Sequence, residues 1–265
     1  MSQFLQGLAA IALSFGLSQL VCAQNNAIRI GDDRFELQPP TLSGIESSQV
    51  ELSAIRTATR GLPIKQFTRD SVVAPVRIQL RYLRASDGTK IGHDVHAMFV
   101  VHTQLDEFSP EDFADRLAGK RDEAQPINSK DVSASILQSL DLEADEETRF
   151  KLVEFDLLEK IRLSGLFEFR NSKSERQRQI NFHVIDEHDN RWRSLMDENL
   201  SGNYRGLAGH LTATELAELD GVVLIELRLL MHEPQDWFAG SNFLRSKLPL
   251  VLQETARDIR RSLKR

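Results

Sequence analysis

At 265 residues with a formal net charge of −6, the chain is long enough to bury a full-size core without covalent staples. Its acidic balance disfavours general nucleic-acid binding, which relies on Lys and Arg neutralising phosphates. Cys22 is the only cysteine and lies in a segment expected to be removed, so the mature chain is expected to hold neither disulfides nor thiolate metal sites.

Residues 1–23 contain no Asp, Glu, Lys or Arg, carry an apolar stretch from Leu8 to Leu20, and end in Val21-Cys22-Ala23 before the polar Gln24-Asn25-Asn26. A small residue at the last position with Val two before it fits cleavage after Ala23, although the usual positively charged start is missing. The segment reads as a signal peptide and the product as secreted or periplasmic. Gln6, Ser14, Ser18 and Gln19 interrupt the stretch, which weakens the alternative of an anchor of roughly 20 apolar residues. No stable transmembrane segment is expected after cleavage, and Val21 before Cys22 argues against lipidation.

Residues 24–45, with Gly31-Asp32-Asp33 and Pro39-Pro40 as turn signals, read as a flexible leader, and residues 46–265 as a single α+β domain. Val50, Ala54, Ile55 and Ala58 recur at helical spacing before Gly61. Val76, Ile78, Leu80 and Tyr82 then alternate with polar residues, as do Val95, Ala97, Phe99 and Val101, which predicts a hairpin turning at Ser86-Asp87-Gly88-Thr89. Ser109-Pro110-Glu111-Asp112 predicts a helix start running to about Ala118, and Ile136, Leu137 and Leu140 a short helix. Strands follow at Phe150–Leu158, Ile161–Arg170, Gln177–Asp186, Arg191–Met196, Leu211–Leu216 and Val222–His232, and consecutive neighbours predict an antiparallel meander. Gly165 suggests a bulge or a close backbone approach. Leu248, Val251, Leu252, Thr255, Ile259 and Leu263 share one side of a last helix, which Pro249 places from about Ser246 onward.

Seven histidines raise the question of a metal. His96 and His102 share a strand face but stand about 20 Å apart at roughly 3.3 Å per residue, and His93 points to the opposite face from His96. The other four lie on separate elements, and no His-Glu-x-x-His occurs, so no metal ligands are assigned. Nucleophile elbows and phosphate-cradling glycine loops are absent too; no catalytic residue or cofactor is assigned, and an enzyme is the weaker expectation. Trp192, Trp237, Phe238 and Phe243 read as aromatics sealing a core edge.

Val222–His232 is more telling. Its odd residues Val223, Ile225, Leu227, Leu229 and Met231 make an apolar face, while Val222, Leu224 and Leu230 on the even face stand among Glu226 and Arg228. Both faces are therefore expected to be covered. Glu226 and Arg228 fit a cross-strand ion pair at the sheet surface, or the few polar groups of an apolar cavity. The cavity version makes Leu224, Glu226, Arg228, Leu248 and Leu252 the candidate ligand-binding residues and a hydrophobic small molecule the candidate partner. From Leu244 onward there are seven basic residues and two acidic ones. Arg257, Arg260, Arg261, Lys264 and Arg265 suit a helix C-terminus or a contact with an anionic envelope surface.

The order of a strand pair, a helical stretch, an antiparallel meander and a long C-terminal amphipathic helix resembles the START-like or polyketide-cyclase-like superfamily, over about Val95 to Lys264. That resemblance implies a curved antiparallel sheet gripping the last helix around a hydrophobic cavity, here with an additional N-terminal hairpin and short helices. The stretches from Phe67 to Pro75 and from Trp237 to Pro249 resemble segments of secreted planctomycete proteins of unknown function. That family implies no activity and no site residues.

Overall fold

In the computed structural model, residues 27–45, 47–107, 128–240 and 242–263 are described; the signal-peptide segment, the helix expected at 109–118 and the terminal Lys264 and Arg265 lie outside them. Among the described residues, twelve strands and four α-helices are arranged as β1 (Ala27–Ile30), β2 (Asp33–Glu36), α1 (Ser48–Ala58), α2 (Ile64–Phe67), β3 (Arg77–Arg84), β4 (Lys90–His102), β5 (Asn128–Asp131), α3 (Ala134–Ser139), β6 (Thr148–Leu157), β7 (Ile161–Lys173), β8 (Gln177–Val184), β9 (Arg191–Ser194), β10 (Ser201–Asn203), β11 (Leu207–Glu215), β12 (Val222–His232) and α4 (Phe243–Leu263). The fold is α+β: a ten-stranded sheet in which every described pairing is antiparallel, packed against the C-terminal helix.

The meander is less simple than its sequence order. β9 and β10 form a side hairpin against the first half of β7, β11 pairs with β8, and β12 pairs with both β11 and β4. The hairpin β3–β4 is thereby stitched to the end of the chain. Gly221 closes the β11–β12 turn at φ +66, a left-handed conformation that glycine adopts without strain. At Gly165 the close approach comes from a side chain: a Cβ there would meet Asn190 Oδ1 at 2.5 Å. Asn190 in turn accepts from the Leu166 N–H at 2.8 Å and donates to the Ile185 carbonyl at 2.7 Å.

Alternation along the strands splits the core into two layers. Odd residues of β4, β7 and β12 pack with Leu244, Leu248, Leu252, Ala256 and Ile259 of α4. On the far face, Met98, Val100, Val222 and Leu224 pack against Leu42, Ile55 and Phe67, and Ala208 and Leu230 against Ile28 and Leu37. Residues 27–45 therefore depart from the expected leader. They form the β1–β2 hairpin and then a strap whose Leu37 and Leu42 are buried against the sheet, each such burial contributing about 1.5–3 kcal/mol.

α4 begins at Phe243, three residues before the expected start, and keeps Pro249 inside it. Its C-terminal basic residues are not a free patch. Arg257 pairs with Glu254 and Arg261 with Asp258, while Arg260 is buried and donates to the carbonyls of Val100 (2.9 Å), Ala74 (2.7 Å), Val72 and Pro75 (both 3.3 Å). Burial, with Arg69 and Arg257 nearby, lowers its pKa to about 10. Arg260 thus serves the fold, capping carbonyls where β4 runs past the start of β3. No helix of the described residues is long and apolar enough to cross a membrane.

Candidate functional site

The five residues expected to form one pocket do not meet. Leu248 and Leu252 belong to the α4 layer, whereas Leu224 packs on the far face with Ile55 and Phe67, and Glu226 and Arg228 share that face by their even positions on β12. A period of two decides this: residues 224, 226 and 228 cannot face the helix that residues 225 and 227 face.

Glu226 is 1% exposed, so neither surface ion pair nor cavity wall describes it. Its Oε1 accepts from the Thr41 hydroxyl (2.8 Å), His96 Nε2 (2.8 Å) and Arg228 Nε (2.9 Å), and its Oε2 accepts from the Thr41 N–H (2.8 Å). Burial alone would raise its pKa; the hydrogen bond and charge of His96, the charge of Arg228 and the Thr41 N–H outweigh that and hold it at about 2. Beside it, His210 donates to the Gln38 carbonyl at 3.1 Å, and desolvation pushes its pKa down to about 4. Both carboxylate oxygens are engaged with groups of the strap and the neighbouring strands. The cluster fastens residues 38–41 to the sheet and presents no free base to a substrate.

The face under α4 is chemically different. Register places Phe169, Phe182, Gly209, Leu229, Val95 and Leu80 in one row across β7, β8, β11, β12, β4 and β3. Phe169, Phe182, Leu229 and Leu80 are only partly buried. In the rows on either side, Ile180, Leu211, Leu227 and Ala97 along one, and Val184, Leu207, Met231 and His93 along the other, are buried, while Ile78 and Tyr82, their members on the edge strand β3, are partly buried as Leu80 is. Val95 (0% exposed) and Gly209 in the same row are buried, so the partly buried side chains do not form one continuous trough. The Phe182 ring packs over Gly209, where a Cβ would strike it at 2.5 Å and the Arg228 carbonyl at 2.6 Å. The signal present in sequence is an unbroken apolar face on β12 with a glycine on its neighbour. Register, which selects the row, is not a property of any one strand's sequence.

At one end the second of these rows becomes polar. His93, 1% exposed, pairs through Nε2 with Glu233, which also accepts from Lys90 Nζ at 2.8 Å. Burial of Glu233 works against its ionisation, but His93 and Lys90 together keep its pKa below the ordinary value. His93 Nδ1 is buried without a hydrogen-bond partner among the described residues. The aromatics do seal a core edge: Trp237 is fully buried, stacked on Tyr204 at 5.5 Å and edge-on to Trp192 at 6.1 Å. Of the other histidines, His102 bonds the Thr68 carbonyl at 2.9 Å and His232 stacks on Tyr204. Among the described residues no group of three or more His, Cys, Asp or Glu is placed to hold a metal ion. A separate cleft of about 280 Å³ beside β6 and β7 is lined by Lys130, Glu154, His188 and Asp189 among others, and its mixed charges select no ligand class.

No protein-family model matches the chain, and no curated protein matches it. Among solved structures, the lipid transfer and protein localization domain of human StarD13 is similar at 14% identity and TM-score 0.43, over 73% of this chain and 86% of that one. Human STARD10 is similar at 10% identity and TM-score 0.38, over 83% and 81%. A protein from Thermus thermophilus follows at 14% identity and TM-score 0.34, over 64% and 93%. The fold rests on the strand pairing described above rather than on these likenesses.

Proposed function

We propose that this is an exported binding protein that holds an apolar small molecule between the sheet and α4, against Phe169, Phe182 and Leu229. The observation that carries the reading is that these apolar side chains, in the layer packed with α4, are only partly buried. Apolar surface left open inside a layer favours a ligand that replaces the missing contacts, by about 25 cal/mol per Å² of surface covered. Leu248 and Leu252, packed in the same layer, form part of the wall; Leu224, Glu226 and Arg228 do not. Native mass spectrometry of the protein purified from its own host, before and after organic extraction, tests the reading. A retained apolar compound is expected, and repeated recovery of empty protein overturns it. Export is tested by N-terminal sequencing of the protein from the secreted or periplasmic fraction, where a start at Gln24 is expected.

A further inference from the structure

The strap is tied to the sheet by side chains alone. Among the described residues, 37–42 make no backbone–backbone hydrogen bond to any strand. Their ties are the burial of Leu37 and Leu42, the two bonds from Thr41 to Glu226, and the bond from His210 to the Gln38 carbonyl. β11 beneath them pairs along its length with β12 on one side and along most of it with β8 on the other. A segment held by few contacts opens at lower free energy than the strands below it.

His210, 2% exposed, stands at the centre of this contact with one ring nitrogen unserved. Nε2 donates to Gln38, while Nδ1 is buried with no hydrogen-bond partner among the described residues. Register defines what faces it. β12 presents Arg228 directly opposite and Glu226 diagonally, β4 presents His96 beyond Arg228, and β8 presents the uncharged Asn181. The strap adds Gln38 and Thr41, neither of which ionises. His183 of β8 stands one row along, opposite Ala208, and lies 3.9 Å from Glu168 of β7. Glu226 already accepts four hydrogen bonds, from Thr41, His96 and Arg228. A proton on His210 Nδ1 would therefore be a buried donor without an acceptor and a buried positive charge beside Arg228. Water relieves both only when the strap moves away.

We infer that the strap is an acid-released latch: protonation of His210 detaches residues 37–42 from the far face while the ten-stranded sheet stays folded. Release uncovers Ala208 and Leu230, which Leu37 helps to cover. The latch lies on the face opposite the proposed ligand layer and is independent of that reading. With the strap closed, desolvation holds the His210 pKa at about 4, below its ordinary 6.5. The open form thus takes up the proton first, and closure weakens as pH falls below about 6.5. Those two values give a rise in the opening equilibrium of about twentyfold from about pH 7 to pH 5. Glu226, held at about 2 against its ordinary 4.5, changes it by less than about twofold over the same interval.

Hydrogen–deuterium exchange of the full chain between about pH 7 and pH 4, corrected for intrinsic rates and read on peptides covering 37–45 and β11–β12, tests this. The amides of Leu37, Gln38, Thr41 and Leu42 are expected to exchange through an opening that leaves β11 and β12 protected. That opening should grow about twentyfold by about pH 5 in the wild type and in His183→Gln, and less than about twofold in His210→Gln. Strap and strand amides exchanging at one common rate would mean that the strap leaves only when the whole sheet unfolds, and overturns the latch. So does an acceleration that survives in His210→Gln or disappears in His183→Gln. Should His210→Gln fail to fold, the wild-type profile and His183→Gln still decide: an acceleration beginning only below about pH 4.5 belongs to Glu226 and overturns the role of His210.

Discussion

The two faces of β12 carry opposite chemistries on neighbouring residues, about 3.3 Å apart along the strand. On the even face a carboxylate is buried with both oxygens engaged by Thr41, His96 and Arg228; on the odd face Leu229 is apolar, central and still reachable. A polar group buried and fully satisfied is what a fold does with a necessary charge. The partly uncovered apolar surface at Leu229 is the ground of the proposed binding. The contrast teaches that the conspicuous charges of a strand can serve the fold alone.

The comparison breaks most visibly at Glu226. Glu226→Ala strands the Thr41 N–H, His96 and Arg228 without their acceptor, and a loss of about 3–5 kcal/mol in urea unfolding is expected. Little change would mean that the strap is not fastened there. His210 comes next. Its folded pKa of about 4 lies below the ordinary value of 6.5, so the unfolded chain takes up a proton first as pH falls. Stability is then lost from about pH 6.5 down to about 4, by about 3 kcal/mol in all. Glu226 adds a loss at lower pH, between its ordinary 4.5 and about 2. His210→Gln should flatten the upper part of that profile and leave the lower part in place. Arg260→Met removes the donor shared by four carbonyls, at an expected cost of about 2 kcal/mol, with no effect on ligand retention. The smallest change in stability, under about 1.5 kcal/mol, is expected for Leu229→Met. Leu229→Trp, which fills the row, should abolish retention of the apolar compound with the fold intact by circular dichroism.

Much of the sheet was legible because its strands are long and alternate cleanly. Val222–His232 matches β12 residue for residue, and the β3–β4 hairpin and α4 follow from the same periodicities. The N-terminal hairpin was not legible. AIRI and DRFE are four residues each, too short for a period to register, and Pro39-Pro40 suggested loop where the chain is instead a packed strap. For the candidate site, alternation along β12 was legible, while Leu224, Glu226 and Arg228 lie on the face opposite Leu248 and Leu252. Joining Leu229 to Phe182 and Leu80 needs the register of several strands at once. The partnership of Glu226 with Thr41 spans 185 positions of chain, beyond any local pattern.

That span bears on how the protein is made. The strap reaches Glu226 only when β12 is in place, so the far-face layer closes only after residues 222–232 have been synthesised. Contacts of such high sequence separation slow folding. The Thr41–Glu226 clasp thus ties the fold's completion to a segment near the far end of the chain.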